Sequence, residues 1–269
     1  MTKTMKMVSA SKFKRAYKAQ ANAQIYAQKL SDLMARLAAF STGQHPLLKI
    51  KKVNNNALIV VFTSDKGLAG GFNNNLIREV RHWTKDNPYK FAKMDFSFCG
   101  RRGYTALRRS LTVKKVYENI TVKPIFEDAL NLANDLAQAF IKGEYDEIYL
   151  AYNNFKGPLS QVPVIEKILP LTNVGAAKTE KKVNADYVYE PEQEELFAFL
   201  VPKYLNFKIF YTLLENAAGE HGARMSAMDK ASQNTADLID RYTLLRNRAR
   251  QASITTELIE IISGAEALK

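Results

Sequence analysis

The residues of this 269-residue chain that come nearest to a chemical site lie between Thr63 and Asn73, in the run Thr-Ser-Asp-Lys-Gly-Leu-Ala-Gly-Gly-Phe-Asn. A glycine-rich turn between an apolar strand and a helix is where α/β proteins cradle phosphate, because backbone N–H groups and the helix N-terminus supply a positive field there. The details argue against a nucleotide. A dinucleotide fingerprint needs G-x-G-x-x-G, and a phosphate loop of the G-x-x-x-x-G-K-[ST] type needs its lysine and hydroxyl after the glycines. Here Lys66 precedes the glycines, and no serine or threonine opens the helix. The turn reads more simply as a glycine-permitted bend, with Asn73 expected to cap the following helix.

Other candidate groups are scattered. Gly100-Arg-Arg-Gly-Tyr104 places two arginines at a helix start, where they either take an anion or form an exposed end of the sheet. Asp65, Asp128 and Asp146 are too dispersed to form an acid–base pair, and no Ser, His and Asp set sits in a recognisable elbow. His45, His82 and His221 are unpaired in sequence, and Cys99 is the only cysteine, so neither a disulfide nor a thiolate zinc site is expected. The expectation is a chain with no catalytic residue, metal or cofactor: not an enzyme in itself.

The elements that would carry these residues begin and end with long helices. Ala16, Ala19, Ala23, Tyr26, Leu30, Leu33, Leu37 and Phe40 follow strict 3-4 spacing, and so do Met228, Ala231, Thr235, Leu238, Tyr242, Leu245, Ala249 and Ala252. A 3.5-residue period keeps one apolar seam against a partner helix, the signature of a left-handed coiled coil. The simplest expectation is that the two seams pair with each other, antiparallel. The first helix runs from residue 2 to about 41, until Gly43 and His45-Pro46 end it, and is about 60 Å long. The last begins near Pro191, where a first-turn proline is tolerated and Glu192, Glu194 and Glu195 suit the helix dipole. Pro202 is expected to kink or break it, and a helix of about 90 Å can follow from Lys203 to Ala267.

Between these ends the pattern alternates. Strands are expected at 56–63, 95–100 and 147–152, with edge strands at 113–117 and at 162–171, where Pro163 and Pro170 disfavour a central position. Helices are expected at 73–85, 103–109 and 125–141. Strand-helix alternation predicts a parallel sheet with covering helices. Residues 173–190 read as a polar loop or hairpin. The fold class is therefore α/β: a long antiparallel coiled coil of the N- and C-terminal helices plus a central Rossmann-like domain. The divisions are 1–45, 46–190 and 191–269.

Charge adds a constraint. The chain carries a net charge of +12, with seven basic and no acidic residues from Lys3 to Lys29, and four arginines between Arg241 and Arg250. Antiparallel tails could bring both stretches to one height and form a positive belt that meets acidic protein loops, nucleic acid or anionic lipid. No apolar run approaches the roughly 20 residues of a membrane span, and lysines interrupt any signal-like segment. A soluble protein of a reducing compartment is expected. On residues alone, two alternatives stay open: a nucleotide-binding α/β enzyme dimerised by its helices, and a basic coiled-coil nucleic-acid binder. The second lacks base-stacking aromatics and any helix-turn-helix or zinc pattern.

Four segments resemble a known family. They are Thr2-Lys-Thr-Met-Lys-Met-Val-Ser-Ala-Ser-Lys-Phe13, Ser64-Asp-Lys-Gly-Leu-Ala-Gly-Gly-Phe-Asn73, Asp186-Tyr-Val-Tyr-Glu-Pro191, and a tail of Arg224-Met-Ser-Ala-Met-Asp229 with the run from Asn247 to Ala267. Together they resemble the gamma subunit of F-type ATP synthase, over essentially the whole chain, with the tail most specific. The resemblance implies a rotor shaft inside a hexamer of alpha and beta subunits, with a foot on the epsilon subunit and the c-subunit ring. Proton-driven rotation would force the beta subunits through ATP synthesis, and hydrolysis would drive the reverse. It further implies one copy per complex, no nucleic-acid partner, no membrane insertion, and a peripheral place on the cytoplasmic face of a bacterial plasma membrane. By position, Met5, Lys6, Asp65, Lys66, Ala69, Arg224, Arg250, Gln251, Thr255 and Glu257 match the surface facing the hexamer. Tyr187 and Glu190 match the contact with epsilon and the c ring. Family members carry about twenty further residues ahead of the stretch that begins here at Thr2, so either the true start lies upstream or part of the C-terminal helix is expected to stand unpaired.

Overall fold

A computed structural model describes residues 1–38, 45–50, 56–87, 90–171 and 192–267. Helix α1 spans Thr2–Ala38, and α5 spans Gln193–Ala267. Between them lie β1 (Asn56–Phe62), α2 (Phe72–Asp86), β2 (Lys93–Cys99), α3 (Arg101–Leu107), β3 (Val113–Tyr117), α4 (Phe126–Ile141), β4 (Glu147–Gly157) and β5 (Ser160–Leu169). Residues 173–190, the expected helix opening at Pro191, and Phe40 lie outside the described residues.

The strands form one sheet in the order β3-β2-β1-β4-β5. The first four are parallel, and β5 returns antiparallel to β4 at the edge. Both faces of β1 are covered, which is why Ala57 to Phe62 is a continuous apolar run. Leu58, Val60 and Phe62 pack toward α4, α5 and the end of α1. Ala57, Ile59 and Val61 pack toward Leu76, Ile77 and Val80 of α2 and Leu107 of α3.

Helix α5 is 75 residues long, about 110 Å, and runs through Pro202 without interruption. The expected break is absent for a physical reason. Pro202 is solvent-exposed, so water can satisfy the carbonyl one turn back that loses its donor.

Helices α1 and α5 do pair antiparallel, yet the two expected seams do not meet. Ser232 hydrogen-bonds Thr2 through their hydroxyls at 2.9 Å, Lys6 pairs with Asp229 at 2.5 Å, and Gln20 reaches Tyr211 at 2.8 Å. This register places α1 against the part of α5 that ends near Ser232. The seam expected from Thr235 to Ala252 lies beyond it and is exposed. The two basic stretches therefore stand at different heights. Periodicity states that a helix has a partner; the register is set by which side chains interlock.

The α1 seam differs in part. Leu30 and Leu37 are buried as expected and the Tyr26 ring packs on Phe207 of α5 at 4.4 Å, but Ala19 is exposed, while Gln20 and Met34 are buried. Gln20 can occupy a seam position because its amide finds the Tyr211 hydroxyl.

Candidate partner-binding surface

The part of α5 beyond Ser232 is the most unusual surface in the molecule. From residue 233 to 267 every position but Asn247 is exposed. Among them Leu238, Ile239, Tyr242, Leu258, Ile261 and Ile262 are 48–68% exposed. A contiguous apolar surface of this kind marks a protein contact, and an isolated helix draws little stability from propensity in water. Arg250, Gln251, Thr255 and Glu257 stand on this tip. Their hydrogen bonds are local: Thr255 Oγ1 donates to the Gln251 carbonyl at 2.9 Å, and Ser253 Oγ to Glu257 at 3.4 Å. Gln251, Thr255 and Leu258 follow at spacings of four and three, which puts them on one helix face.

A second group forms where α5 passes the glycine-rich turn. Arg224 is 8% exposed and its guanidinium spends its donors inside the chain. Nε reaches the Gly67 carbonyl at 3.1 Å, Nη2 reaches the Lys66 carbonyl at 3.3 Å and Glu220 at 2.5 Å, and Nη1 lies 3.3 Å from His221 Nδ1. Burial raises the Glu220 carboxyl above its ordinary value, with Arg224 opposing. Burial, then Arg224 and Lys12, lower His221 to about 4, so its ring is neutral and accepts from Arg224. Ala69 is buried, and Gly70 takes up the turn's left-handed φ of +56° beside Ala227 of α5. Lys66 and Leu68 are the side chains this turn presents outward.

Asp65 is engaged as well. One oxygen accepts the Arg101 N–H at the start of α3 at 3.0 Å, and the other accepts from Thr121 at 2.9 Å. The anion that the paired arginines could attract is thus matched at the α3 start by the chain's own carboxylate. Asp146 accepts the Asn56 N–H at the opposite end of β1, so Asp65 and Asp146 are separated by the length of that strand.

The expected cap at α2 takes another form. The N-cap is Gly71, with no side-chain hydrogen bond. Asn73 instead points back, accepting from the Ser64 N–H at 2.9 Å and donating to Ser64 Oγ at 2.8 Å. That bridge closes the turn onto itself. At the switch point between β1 and β4, Asn216 of α5 donates to the Thr63 carbonyl at 3.4 Å and Asn153 to the Phe72 carbonyl at 3.1 Å. In doubly wound folds this crevice holds the ligand; here α5 lies across the β1 end of it, with Asn216 on the Thr63 carbonyl.

Of the residues expected to face the hexamer, the structure gathers Lys66, Ala69 and Arg224 at the turn. Arg250, Gln251, Thr255 and Glu257 lie at the tip. Met5 and Lys6 lie in the first turns of α1, with Met5 partly buried and Lys6 paired to Asp229. Tyr187 and Glu190 lie outside the described residues. Sequence reading missed Gln20 on α1 and Tyr211, Asn216 and Glu220 on α5, which are isolated polar positions in the sequence and are brought together only by the packing of the two helices and the sheet. Cys99 is fully buried with its thiol pushed well up by burial and then Asp65, and no metal-binding cluster occurs among the described residues.

Comparison with known proteins agrees with this architecture. The model of the ATP synthase family matches residues 1–268. The ATP synthase gamma chain of Geobacter sp. (strain M21) is 42% identical over 269 residues, covering all of this chain and 93% of that protein. The ATP synthase gamma chain of Anaeromyxobacter sp. (strain K) is 42% identical over 274 residues, with the same coverage. Among solved structures, a chain of the Tetrahymena thermophila mitochondrial ATP synthase central stalk and c ring matches with TM-score 0.61 and 27% identity. That match covers 86% of this chain and 99% of that one. A chain of the Euglena gracilis mitochondrial ATP synthase shares the fold at TM-score 0.59 and 18% identity, covering 96% of this chain and 95% of that one. With an antiparallel pair of long helices, a doubly wound sheet crossed by the longer of them, and these relatives over its full length, the chain belongs to the ATP synthase gamma family.

Proposed function

We propose that this chain is the central rotor shaft of an ATP synthase, transmitting rotation between a c-subunit ring and the beta subunits and catalysing nothing itself. The observation that carries the reading is the exposed α5 tip: a long helix rich in surface leucine and isoleucine needs a surrounding partner. A collar of alpha and beta subunits fits it. Arg250, Gln251, Thr255 and Glu257 would meet that collar, with Met5, Lys6 and Lys66 nearer the sheet. Asp65, Ala69 and Arg224 would act from behind, by holding the turn that presents Lys66. The exposed arginines of the tip suit acidic loops, through contacts of about 0–1 kcal/mol each that release at every step.

The division into a shaft of 1–45 and 191–269 and a foot of 46–190 follows from the same reading. The foot would meet the epsilon subunit and the c ring, with Tyr187 and Glu190 in that contact. One copy per complex, no nucleic-acid partner and a peripheral place at the cytoplasmic face of a bacterial plasma membrane complete it. Among the described residues no helix is long and apolar enough to cross a membrane.

Reconstitution tests the proposal. The chain mixed with alpha and beta subunits, with and without epsilon, should give an active hexamer holding one copy of it. ATP hydrolysis should fall when Gln251 and Thr255 are both replaced by tryptophan. Failure of the chain to assemble, or a hexamer indifferent to the double replacement, would count against the rotor reading.

A further inference from the structure

Where α5 crosses the sheet, four elements direct polar side chains toward one buried carboxyl. Glu215 of α5 is 5% exposed. Tyr211 stands beside it, one turn earlier on the same helix, and the Tyr211 hydroxyl accepts from the amide of the buried Gln20 of α1 at 2.8 Å. The sheet contributes Tyr152 and Lys156 from β4 and Glu166 from β5. Tyr152 donates to Glu166 at 2.9 Å, while Lys156 acts on Glu215 through space. Lys208 of α5 completes the group, with its ammonium 3.1 Å from one Glu166 oxygen and 3.0 Å from the other.

The charges in this cluster do not balance. Two carboxyl groups share one contacting ammonium, and that ammonium sits on Glu166. A carboxylate buried without a contacting cation is unfavourable, because it loses its hydration without gaining a counter-charge. Such a group relieves the imbalance by taking up a proton. Access exists as well. A groove of about 600 Å³ between α1 and α5 is lined by Gln24, Gln28, Asp32, Tyr204, Lys208 and Tyr211, so solvent reaches the Tyr211 side of the cluster.

We propose that Glu215, with Glu166 beside it, forms a single-proton binding site filled and emptied through this groove, and that its loading sets how tightly α1 closes on α5 at Gln20. With the proton on, Glu215 is neutral and the Gln20–Tyr211 bridge rests against no buried charge. With the proton off, the carboxylate requires further donors, and the nearest source is water drawn from the groove between the helices. Burial raises the Glu215 carboxyl to about 7, with Lys208, Tyr211 and Lys156 pulling it down and Glu166 pushing it up. The inference does not depend on the rotor reading, because the titration is read on the full chain by itself.

Infrared difference spectroscopy across a pH titration of the full chain tests it. One protonated carboxyl should disappear with a midpoint near the value of about 7, and Glu215→Gln should abolish that band. Amide hydrogen exchange in α1 around Gln20, corrected for its intrinsic pH dependence, should rise across the same midpoint and be flat in Glu215→Gln. Tyr211→Phe removes a hydroxyl that stabilises the carboxylate, so the midpoint should move up by about one pH unit. If Glu215→Gln fails to fold, Tyr211→Phe carries the test. A carboxyl ionised throughout the range, a midpoint unmoved by Tyr211→Phe, or α1 exchange indifferent to the titration would overturn the proposal.

Discussion

The Arg224 side chain of α5 reaches 3.1 Å from the carbonyl of Gly67, fastening the long helix to the turn after the first strand. Arg224 and Gly67 are 157 residues apart, and the contact ties α5 to the turn between β1 and α2. Glu220 holds the same guanidinium from the other side.

Arg224→Ala should therefore destabilise the chain by about 3–5 kcal/mol, because it strips the buried Glu220 of its counter-charge as well as freeing two carbonyls. Arg224→Lys should recover only a minor part, since an ammonium cannot span the Gly67 and Lys66 carbonyls and Glu220 in the guanidinium's planar geometry. Urea denaturation of the three proteins measures both effects.

The acid limb of stability should depend on His221. Its folded value of about 4 lies below its ordinary 6.5, so as pH falls the unfolded chain takes up the proton first. The contribution is complete above 6.5 and is lost progressively toward 4. Allowing for partial exposure, it amounts to roughly 2 kcal/mol. His221→Gln retains an acceptor for Arg224 without titrating, and its melting temperature should fall less steeply over that window.

Gly100 should not tolerate a side chain. Its φ of +99° is in the left-handed half of the map, and a Cβ there would run into the Thr63 carbonyl. Gly100→Ala is expected to lower stability by about 2–4 kcal/mol, from strain plus displacement of the β1 end. A melting curve checks it, with Gly264→Ala as the contrast: its added methyl meets nothing and it lies inside α5, so it should raise stability by up to about 1 kcal/mol.

Pro202 makes the opposite case. It sits inside α5, exposed, and its ring removes one helical hydrogen bond. Pro202→Ala should stabilise the folded chain by about 1–3 kcal/mol, the upper end being the difference in helix propensity and the lower end allowing for a freer unfolded chain. Faster amide exchange near Phe199 in the variant than in the parent protein would contradict this.

Much of the architecture was present in the one-dimensional pattern. Six fully apolar residues from Ala57 to Phe62 announce a strand covered on both sides, and Pro163 on β5 announces an edge, because both are local consequences of burial and of a missing N–H. The heptads at Leu30 and Leu37 announce a helix with a partner for the same reason. The lack of a phosphate-binding lysine after Gly71 was equally readable, since motif spacing is local.

The tertiary structure alone decided who meets whom. A 3.5-residue period at Thr235, Leu238 and Tyr242 is the same whether the partner is α1 or another subunit, and only the lock of Thr2 on Ser232 and Lys6 on Asp229 shows that α1 is engaged lower down. Asn73 reads as a cap in sequence yet bonds Ser64, because a bent turn brings that backbone N–H closer than the helix end. Gln20, Tyr211 and Glu215 carry no signal, since an amide, a phenol and a carboxyl become a buried cluster only when helices 191 residues apart are pressed together. Periodicity and turn chemistry act over a few residues, so the sequence determined the elements and their buried faces. Register, filled crevices and paired charges depend on distances between remote segments, and those exist only in the folded chain.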